Sequence, residues 1–328
     1  MWATPAGLLI ANEIPDPPEA GTPFGANGFN LSVHDPLSGR QIAHTSIPGY
    51  TSLIDGDVMW LFGQDDADVW HFQRYSLPGL TPTLELPPVT VAPDQEIGFA
   101  TATDGVTDVA LLHAPGSLTA WDARTGSRLG GPVDVDGDFA GMTWARDGHP
   151  GQAVVATPGH LELWDVPAGR RLGSTALVVQ NYRSVVADRD TLVAITPEGS
   201  LEVRRLPDME PVGPPIFTPG TSALIGFDPE GRLVAVTGFP DGQEIVLWDL
   251  ERRTEAGRIQ PARVLGTTVA GGALTTQGGS GNLPEVIPLR AGDWQAHLCH
   301  LLPGEPSAGA VALLPAGADR SSPCGRPS

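Results

Sequence analysis

Lysine is absent from this sequence of 328 residues, so all 19 basic residues are arginine. Aspartate and glutamate together number 38, which gives a formal net charge of −19. A surface with this balance repels phosphate backbones and anionic lipid headgroups. We therefore expect neither nucleic-acid nor membrane binding, and we expect a charged partner to be basic.

Cysteine is also scarce, since Cys299 and Cys324 are the only two. Two cysteines do not build a disulfide framework in a chain of this length. No apolar run approaches the roughly 18 residues that a membrane helix needs, and the first residues lack the pattern of a secretory signal. These absences predict a soluble cytoplasmic protein.

Aromatic residues make up 6% of the chain and charged residues 17%, whereas glycine and proline number 41 and 33. Both glycine and proline destabilise helix interiors, by roughly 1 to 3 kcal/mol each. This composition excludes a helical bundle and a doubly wound nucleotide-binding fold. Since 41% of the residues are hydrophobic, it predicts an all-β protein of short strands and tight turns.

A repeated pattern accounts for this composition. Three five-residue segments begin with an apolar residue and end in a Trp-Asp pair; these pairs are Trp121–Asp122, Trp164–Asp165 and Trp248–Asp249. Four weaker copies occupy residues 31–35, 70–75, 201–205 and 285–290. Successive copies end 40 to 47 residues apart, and each period contains four short apolar runs bounded by turn residues.

Seven copies of this period, with Trp-Asp at the end of the third run, resemble the WD-repeat family in its actinobacterial form. The resemblance implies an all-β fold, a seven-bladed β-propeller of four-stranded antiparallel blades over residues 1–290. Residues 291–328 are predicted to form a short helix over 293–302 and an irregular tail rich in proline and glycine. Family members also carry an aspartate in the turn before the third strand. Among the turns at residues 114–116, 157–159, 196–199 and 239–242, only the last contains one, Asp241.

The ends of the repeat region depart from this pattern. Residues 1–10 match only the end of a first strand, its turn and a second strand, and the seventh copy lacks an obvious fourth strand. We interpret the chain as an N-terminally truncated piece of a longer protein, or one with a misassigned start. Residues 309–314 are the alternative source of the missing strand, and residues 13–28 are predicted to be an exposed loop.

Candidate sites for chemistry are few. His297 and His300 have the spacing of two ligands on one helix face, but Cys299 points elsewhere and no second cluster is visible. The acidic stretches 65–68 and 134–138 do not meet the calcium-loop pattern and are interpreted as solvated turns. We expect no metal, no cofactor and no catalytic residues. Three tryptophans in apolar strand patterns are interpreted as packing residues: Trp60, Trp70 and Trp144.

These observations favour a non-catalytic scaffold or sensor propeller that binds a protein or peptide, with a basic segment as the favoured partner. Two alternatives stay open. The chain is the sensor portion of a larger bacterial signalling ATPase or kinase, or it is a propeller hydrolase or lyase with a site at the central channel. The sequence does not indicate the oligomeric state.

Overall fold

The structure is a computed structural model. It describes residues 2–3, 9–13, 29–35, 38, 40–47, 51–55, 57–65, 67–92, 97–103, 106–135, 143–146, 148–157, 159–179, 183–218, 220–238, 243–259, 268–270, 273–276, 285–290 and 292. The predicted helix over 293–302, the tail and residues 14–28 of the predicted loop lie outside these residues. Glu13, which was predicted to begin that loop, lies instead at the end of a strand. No helix in the described part of the chain is long and apolar enough to cross a membrane.

The described residues form seven antiparallel sheets, numbered here in chain order. Sheet 1 contains β1 (Trp2–Ala3), β2 (Leu9–Glu13), β3 (Phe29–His34) and β4 (Gln41–Ile47). Sheet 2 contains β5 (Thr51–Asp55), β6 (Val58–Gln64), β7 (Val69–Ser76) and β8 (Thr81–Thr90). Sheet 3 contains β9 (Gly98–Thr103), β10 (Asp108–Ala114), β11 (Ser117–Asp122) and β12 (Arg128–Asp134).

The remaining four sheets follow the same order. Sheet 4 contains β13 (Thr143–Ala145), β14 (Gln152–Thr157), β15 (His160–Asp165) and β16 (Arg170–Thr175). Sheet 5 contains β17 (Val185–Asp188), β18 (Thr191–Ile195), β19 (Ser200–Arg205), β20 (Glu210–Pro211) and β21 (Ile216–Phe217). Sheet 6 contains β22 (Thr221–Phe227), β23 (Leu233–Thr237), β24 (Glu244–Asp249) and β25 (Thr254–Ile259). Sheet 7 contains β26 (Thr268–Ala270), β27 (Ala273–Thr276) and β28 (Glu285–Pro288).

Each repeat predicted from the sequence corresponds to one sheet. All seven aligned copies fall on third strands, namely β3, β7, β11, β15, β19, β24 and β28. The pairing within each sheet follows chain order, because short antiparallel strands are joined by tight turns. In sheet 5 the fourth strand is split into β20 and β21, which both pair with β19.

The core lies between successive sheets. Six clusters of buried apolar side chains join sheet 1 to 2, 2 to 3, 3 to 4, 4 to 5, 5 to 6 and 6 to 7. At the remaining junction, β1 lies against β27. Sheets stacked face to face around an axis bury both of their faces and form a β-propeller. The predicted all-β propeller is thus confirmed, while the number of blades in the ring stays a prediction.

A glycine repeated in the sequence permits this close stacking. Gly130 and Gly173 occupy equivalent positions in β12 and β16, within Arg-Leu-Gly copies. A Cβ at Gly130 would collide with the backbone of Pro167, and one at Gly173 would collide with the carbonyl of Pro207. Both prolines belong to turns of the next sheet. The outer strand of one sheet is therefore open enough to receive a turn of its neighbour.

Candidate interaction surface

The antiparallel order of the strands gives the propeller two distinct ends. Turns between first and second strands, and between third and fourth strands, lie at one end, which we name the hairpin end. Turns between second and third strands, and the linkers from one sheet to the next, lie at the other, which we name the linker end. Because loops of each end share one surface, the two ends can be compared as potential binding surfaces.

At the hairpin end, the repeated aspartates organise the turns that follow the third strands. The Asp122 carboxylate accepts hydrogen bonds from the backbone N–H groups of Arg124 and Thr125. The Thr125 N–H holds the pKa of Asp122 below its usual value, since it stabilises the ionised carboxylate. Asp165 accepts the N–H of Ala168, and Asp249 accepts that of Arg252. The Trp-Asp repeat therefore marks a turn held by its own side chain.

Sheets 2 and 5 lack this aspartate and have buried apolar side chains at the same turn. In sheet 2 the turn after β7 buries Leu77 and Leu80 against residues of sheet 1. In sheet 5 the turn after β19 buries Leu206 and Met209 in the cluster shared with sheet 4. These turns are fixed by packing onto the preceding sheet, whereas the aspartate turns are fixed locally.

A buried arginine links sheets 4 and 5 at the hairpin end. The Arg146 side chain is 3% exposed. Its Nη1 donates to Gln152 Oε1 at 2.6 Å, and its Nε donates to the Arg189 carbonyl. Asp190 lies 3.4 Å from Nη2, and burial raises the pKa of the nearby Asp188 carboxyl. The guanidinium thus joins two sheets and lies within ion-pair distance of the Asp190 carboxylate.

Further arginines neutralise carboxylates at the hairpin end. The pairs are Arg124 with Asp108, Arg205 with Asp208, Arg232 with Asp228, and Arg252 with Asp249. Arg232 also reaches the next sheet, where its Nη2 donates to the Leu289 carbonyl at 3.2 Å. Since arginine supplies several donors in one plane, it can bind a carboxylate and a carbonyl together. Much of the negative charge at this end is therefore balanced within the fold.

At the linker end, the partners of the carboxylates are different. Asp65 accepts the backbone N–H groups of Ala67 and Val69, and its second oxygen lies 3.1 Å from His71 Nε2. The Val69 N–H is the main cause that lowers the pKa of Asp65. Glu85 lies 3.8 Å from the other ring nitrogen of His71. Here the side chain that contacts the carboxylate is a histidine, whereas at the opposite end it is an arginine.

Other acidic residues at the linker end are exposed. Asp134 ends β12, Glu198 lies in the turn before β19, and both side chains are open to solvent. Neither has a hydrogen-bond or ion-pair partner among the described residues, whereas Glu244 is paired with Arg258. Two large apolar side chains are exposed at this end as well, Val178 at 56% and Phe217 at 70%. The linker end thus presents both unbalanced carboxylates and exposed apolar side chains.

The structure places the candidate residues from the sequence as follows. Asp65 and Asp68 form a hydrogen-bonded turn, and no group of three or more potential metal ligands occurs among the described residues. Trp60 is 2% exposed and packs in the core between sheets 2 and 3, where Trp70 packs at its edge. Trp144 lies on β13. Several candidates lie outside the described residues: Asp66, Asp136, Asp138, Asp241, His297, Cys299, His300 and Cys324.

The sequence prediction missed Arg146 and Phe217. Arg146 follows a short strand in an ordinary turn sequence, and no local signal shows that it reaches sheet 5. Phe217 ends an apolar run that reads as a buried outer strand, yet only its neighbour Ile216 is buried. The prediction also overlooked Asp65 as an aspartate in the turn before a third strand, although its position in the repeat was available.

Comparisons with known proteins identify the fold and leave the function open. No family model and no curated protein match the chain. The crystal structure of BamB from Moraxella catarrhalis is similar with a TM-score of 0.53 at 13% identity, over 79% of this chain and 78% of that one. The dihydro-heme d1 dehydrogenase NirN, solved in complex with DHE, gives 0.52 at 14% identity, over 80% of this chain and 63% of that one.

Both neighbours are β-propeller proteins, which agrees with the arrangement of the sheets. At these identities the likeness concerns the fold alone. The narrower assignment to actinobacterial WD-repeat proteins therefore stays a prediction.

Proposed function

We propose that the chain is a non-catalytic interaction propeller that binds a basic protein or peptide segment at its linker end. The observation that carries the proposal is the contrast in charge balance between the two ends. Arginines pair with carboxylates around the hairpin end, whereas Asp134 and Glu198 face solvent unpaired at the linker end. Loops on a rigid scaffold are a common location for recognition.

The sequence of the linkers supports a negative potential at this end. Segments 91–97 and 135–142 join β8 to β9 and β12 to β13; together with Asp134, which ends β12, they contain five acidic residues and no arginine. Several carboxylates on a shared surface attract cations and speed their association, and this effect weakens as the ionic strength rises. A cationic partner would gain from the charges that the fold itself leaves unbalanced.

The proposal is tested by fluorescence anisotropy with two labelled probes, a short alternating arginine–leucine peptide and its glutamate–leucine counterpart. We expect the basic probe to bind and the acidic one not to bind. Binding should weaken as NaCl rises from about 0.05 to about 0.3 M, because screening shortens the reach of surface charges.

Two double variants test which end of the propeller binds the basic probe. The double variant Asp134→Asn/Glu198→Gln removes two linker-end charges, whereas Asp208→Asn/Glu251→Gln removes two exposed charges at the hairpin end. We expect the first variant to weaken binding of the basic probe by about three- to tenfold and the second to leave it within twofold. Equal effects from both variants, or equal binding of the acidic probe, would contradict the proposal.

A further inference from the structure

Among the described residues of the linker end, the most exposed aromatic side chain lies at the junction between sheets 4 and 5. Phe217 lies in β21, where its backbone pairs with Ser200 of β19. It is therefore held in a sheet and is not part of a loose loop, yet 70% of its surface is open. A large aromatic kept rigid and exposed has the properties of an anchor for a partner.

The strand register shows which way Phe217 points. Leu201 and Ile216 are paired neighbours whose side chains pack in the core shared with sheet 6. Successive side chains of a strand alternate between faces. Phe217 and Ser200 therefore lie on the opposite face of sheet 5, the face that packs against sheet 4 through Leu192 and Ala194.

Sheet 4 contributes a second exposed apolar side chain to this junction. The chain leaves β16 at the linker end, buries Leu177 in the core between sheets 4 and 5, and then exposes Val178. Val178 thus follows the fourth strand of sheet 4, and Phe217 ends the fourth strand of sheet 5 on the face toward sheet 4. We name the linker-end surface of this junction, which carries both side chains, the 4/5 groove.

Strand addition at this outer edge is disfavoured by proline. Pro211, Pro214 and Pro215 have no N–H to donate, and Gly213 adopts a positive φ of 75°. An edge with so few donors does not accept another strand readily. A partner at the 4/5 groove is therefore expected to contact side chains and not to extend the sheet.

Hydrogen bonds connect the residue after Phe217 to the turn that carries Glu198. The Thr218 N–H and its hydroxyl both donate to the Gly199 carbonyl, at 3.1 and 3.3 Å. These bonds tie the residue after Phe217 to the turn that contains Glu198, whose exposed side chain has no partner among the described residues. Arg183 lies in the linker between sheets 4 and 5. Because Glu198 is negatively charged and Arg183 is positively charged, a partner cation is expected on the Glu198 side of the groove.

We propose that the 4/5 groove binds an arginine or lysine of a partner peptide that is followed by an apolar residue. The cation pairs with Glu198 over the face of Phe217, and the apolar side chain lies between Phe217 and Val178. A ring face attracts a cation, and a nearby carboxylate adds to that attraction. The inference rests on the proposed binding of basic segments at the linker end, and it names the place and the contacts.

The test uses the full chain and the arginine–leucine probe described above. Phe217→Ala and Glu198→Gln are each expected to weaken binding by about fivefold or more, which the ring and the carboxylate together can supply. Val106→Ala is the matched control, because Val106 is 74% exposed at the hairpin end. It should leave the affinity unchanged, and circular dichroism should show all three variants folded.

Replacing the arginines of the probe with norleucine separates charge from apolar contact. Loss of binding to this uncharged probe supports the groove as a cation site, whereas unchanged binding overturns it. If Asp134→Asn/Glu198→Gln weakens binding but Phe217→Ala does not, the groove is wrong while binding at the linker end stands. If the arginine–leucine probe does not bind at all, both proposals fail.

Discussion

The two ends of the propeller use the same kinds of side chain in opposite ways. At the hairpin end, Leu206 is buried in a core between sheets and Arg146 is enclosed by groups of two sheets. At the linker end, Phe217 and Glu198 are exposed. The same strands run between the two ends, so the difference arises in the turns and linkers.

This contrast explains where the sequence repeats and where it does not. The Trp-Asp pairs and the Arg-Leu-Gly copies all serve the hairpin end or the packing of one sheet on the next. The linkers carry no comparable repeat. Structural demands are similar in every sheet, whereas a binding surface needs different residues at different places.

The largest difference between the two ends is expected in the free energy of unfolding when an apolar side chain is truncated to alanine. Leu206→Ala should lower the free energy of unfolding by about 2–5 kcal/mol, because it opens a cavity in the core between sheets 4 and 5. Phe217→Ala, at the linker end, should change it by less than about 0.5 kcal/mol. Urea denaturation followed by tryptophan fluorescence measures both, and a similar loss in the two variants would abolish the proposed contrast.

A smaller effect is expected from the buried arginine. Arg146→Met should lower the free energy of unfolding by about 1–3 kcal/mol, because the Arg189 carbonyl and the Gln152 amide lose their donor. Arg170→Met is the control, since Arg170 is an exposed arginine at the same end. Equal stability of the two variants would show that the contact between sheets 4 and 5 contributes nothing measurable.

The smallest effect concerns a single turn and depends on pH. Asp122→Ala should cost about 0.5–1.5 kcal/mol at neutral pH, because two backbone N–H groups lose their acceptor. Since the pKa of Asp122 is lowered in the folded state, this stabilisation is complete above the ordinary value of 3.8 and is lost as the pH falls below it.

The difference between wild type and Asp122→Ala should therefore shrink in acid, as measured by urea denaturation at a series of pH values. Asp134→Ala, which removes an unpaired aspartate at the linker end, should show little loss at any pH. A difference for Asp122→Ala that is constant with pH would mean that its ionised carboxylate does not hold the turn.

The repeat units were predictable from the sequence, whereas the proposed binding surface was not. The period of the Trp-Asp pattern located all seven third strands, because alternation and turn residues are local signals. The sequence also indicated an acidic surface and a basic partner. It could not show that arginines neutralise the hairpin end, because pairs such as Arg146 with Asp190 join residues far apart in the chain.

The strand pattern, the turn aspartates and the overall negative charge follow from the sequence itself, since each depends on neighbouring residues or on composition. Only the tertiary structure decided which charges are balanced and which apolar residues are exposed. Phe217 and Ile216 are adjacent and similar in sequence terms, yet one faces solvent and the other a neighbouring sheet. That outcome depends on how sheets 4, 5 and 6 stack, which is a property of the assembled ring.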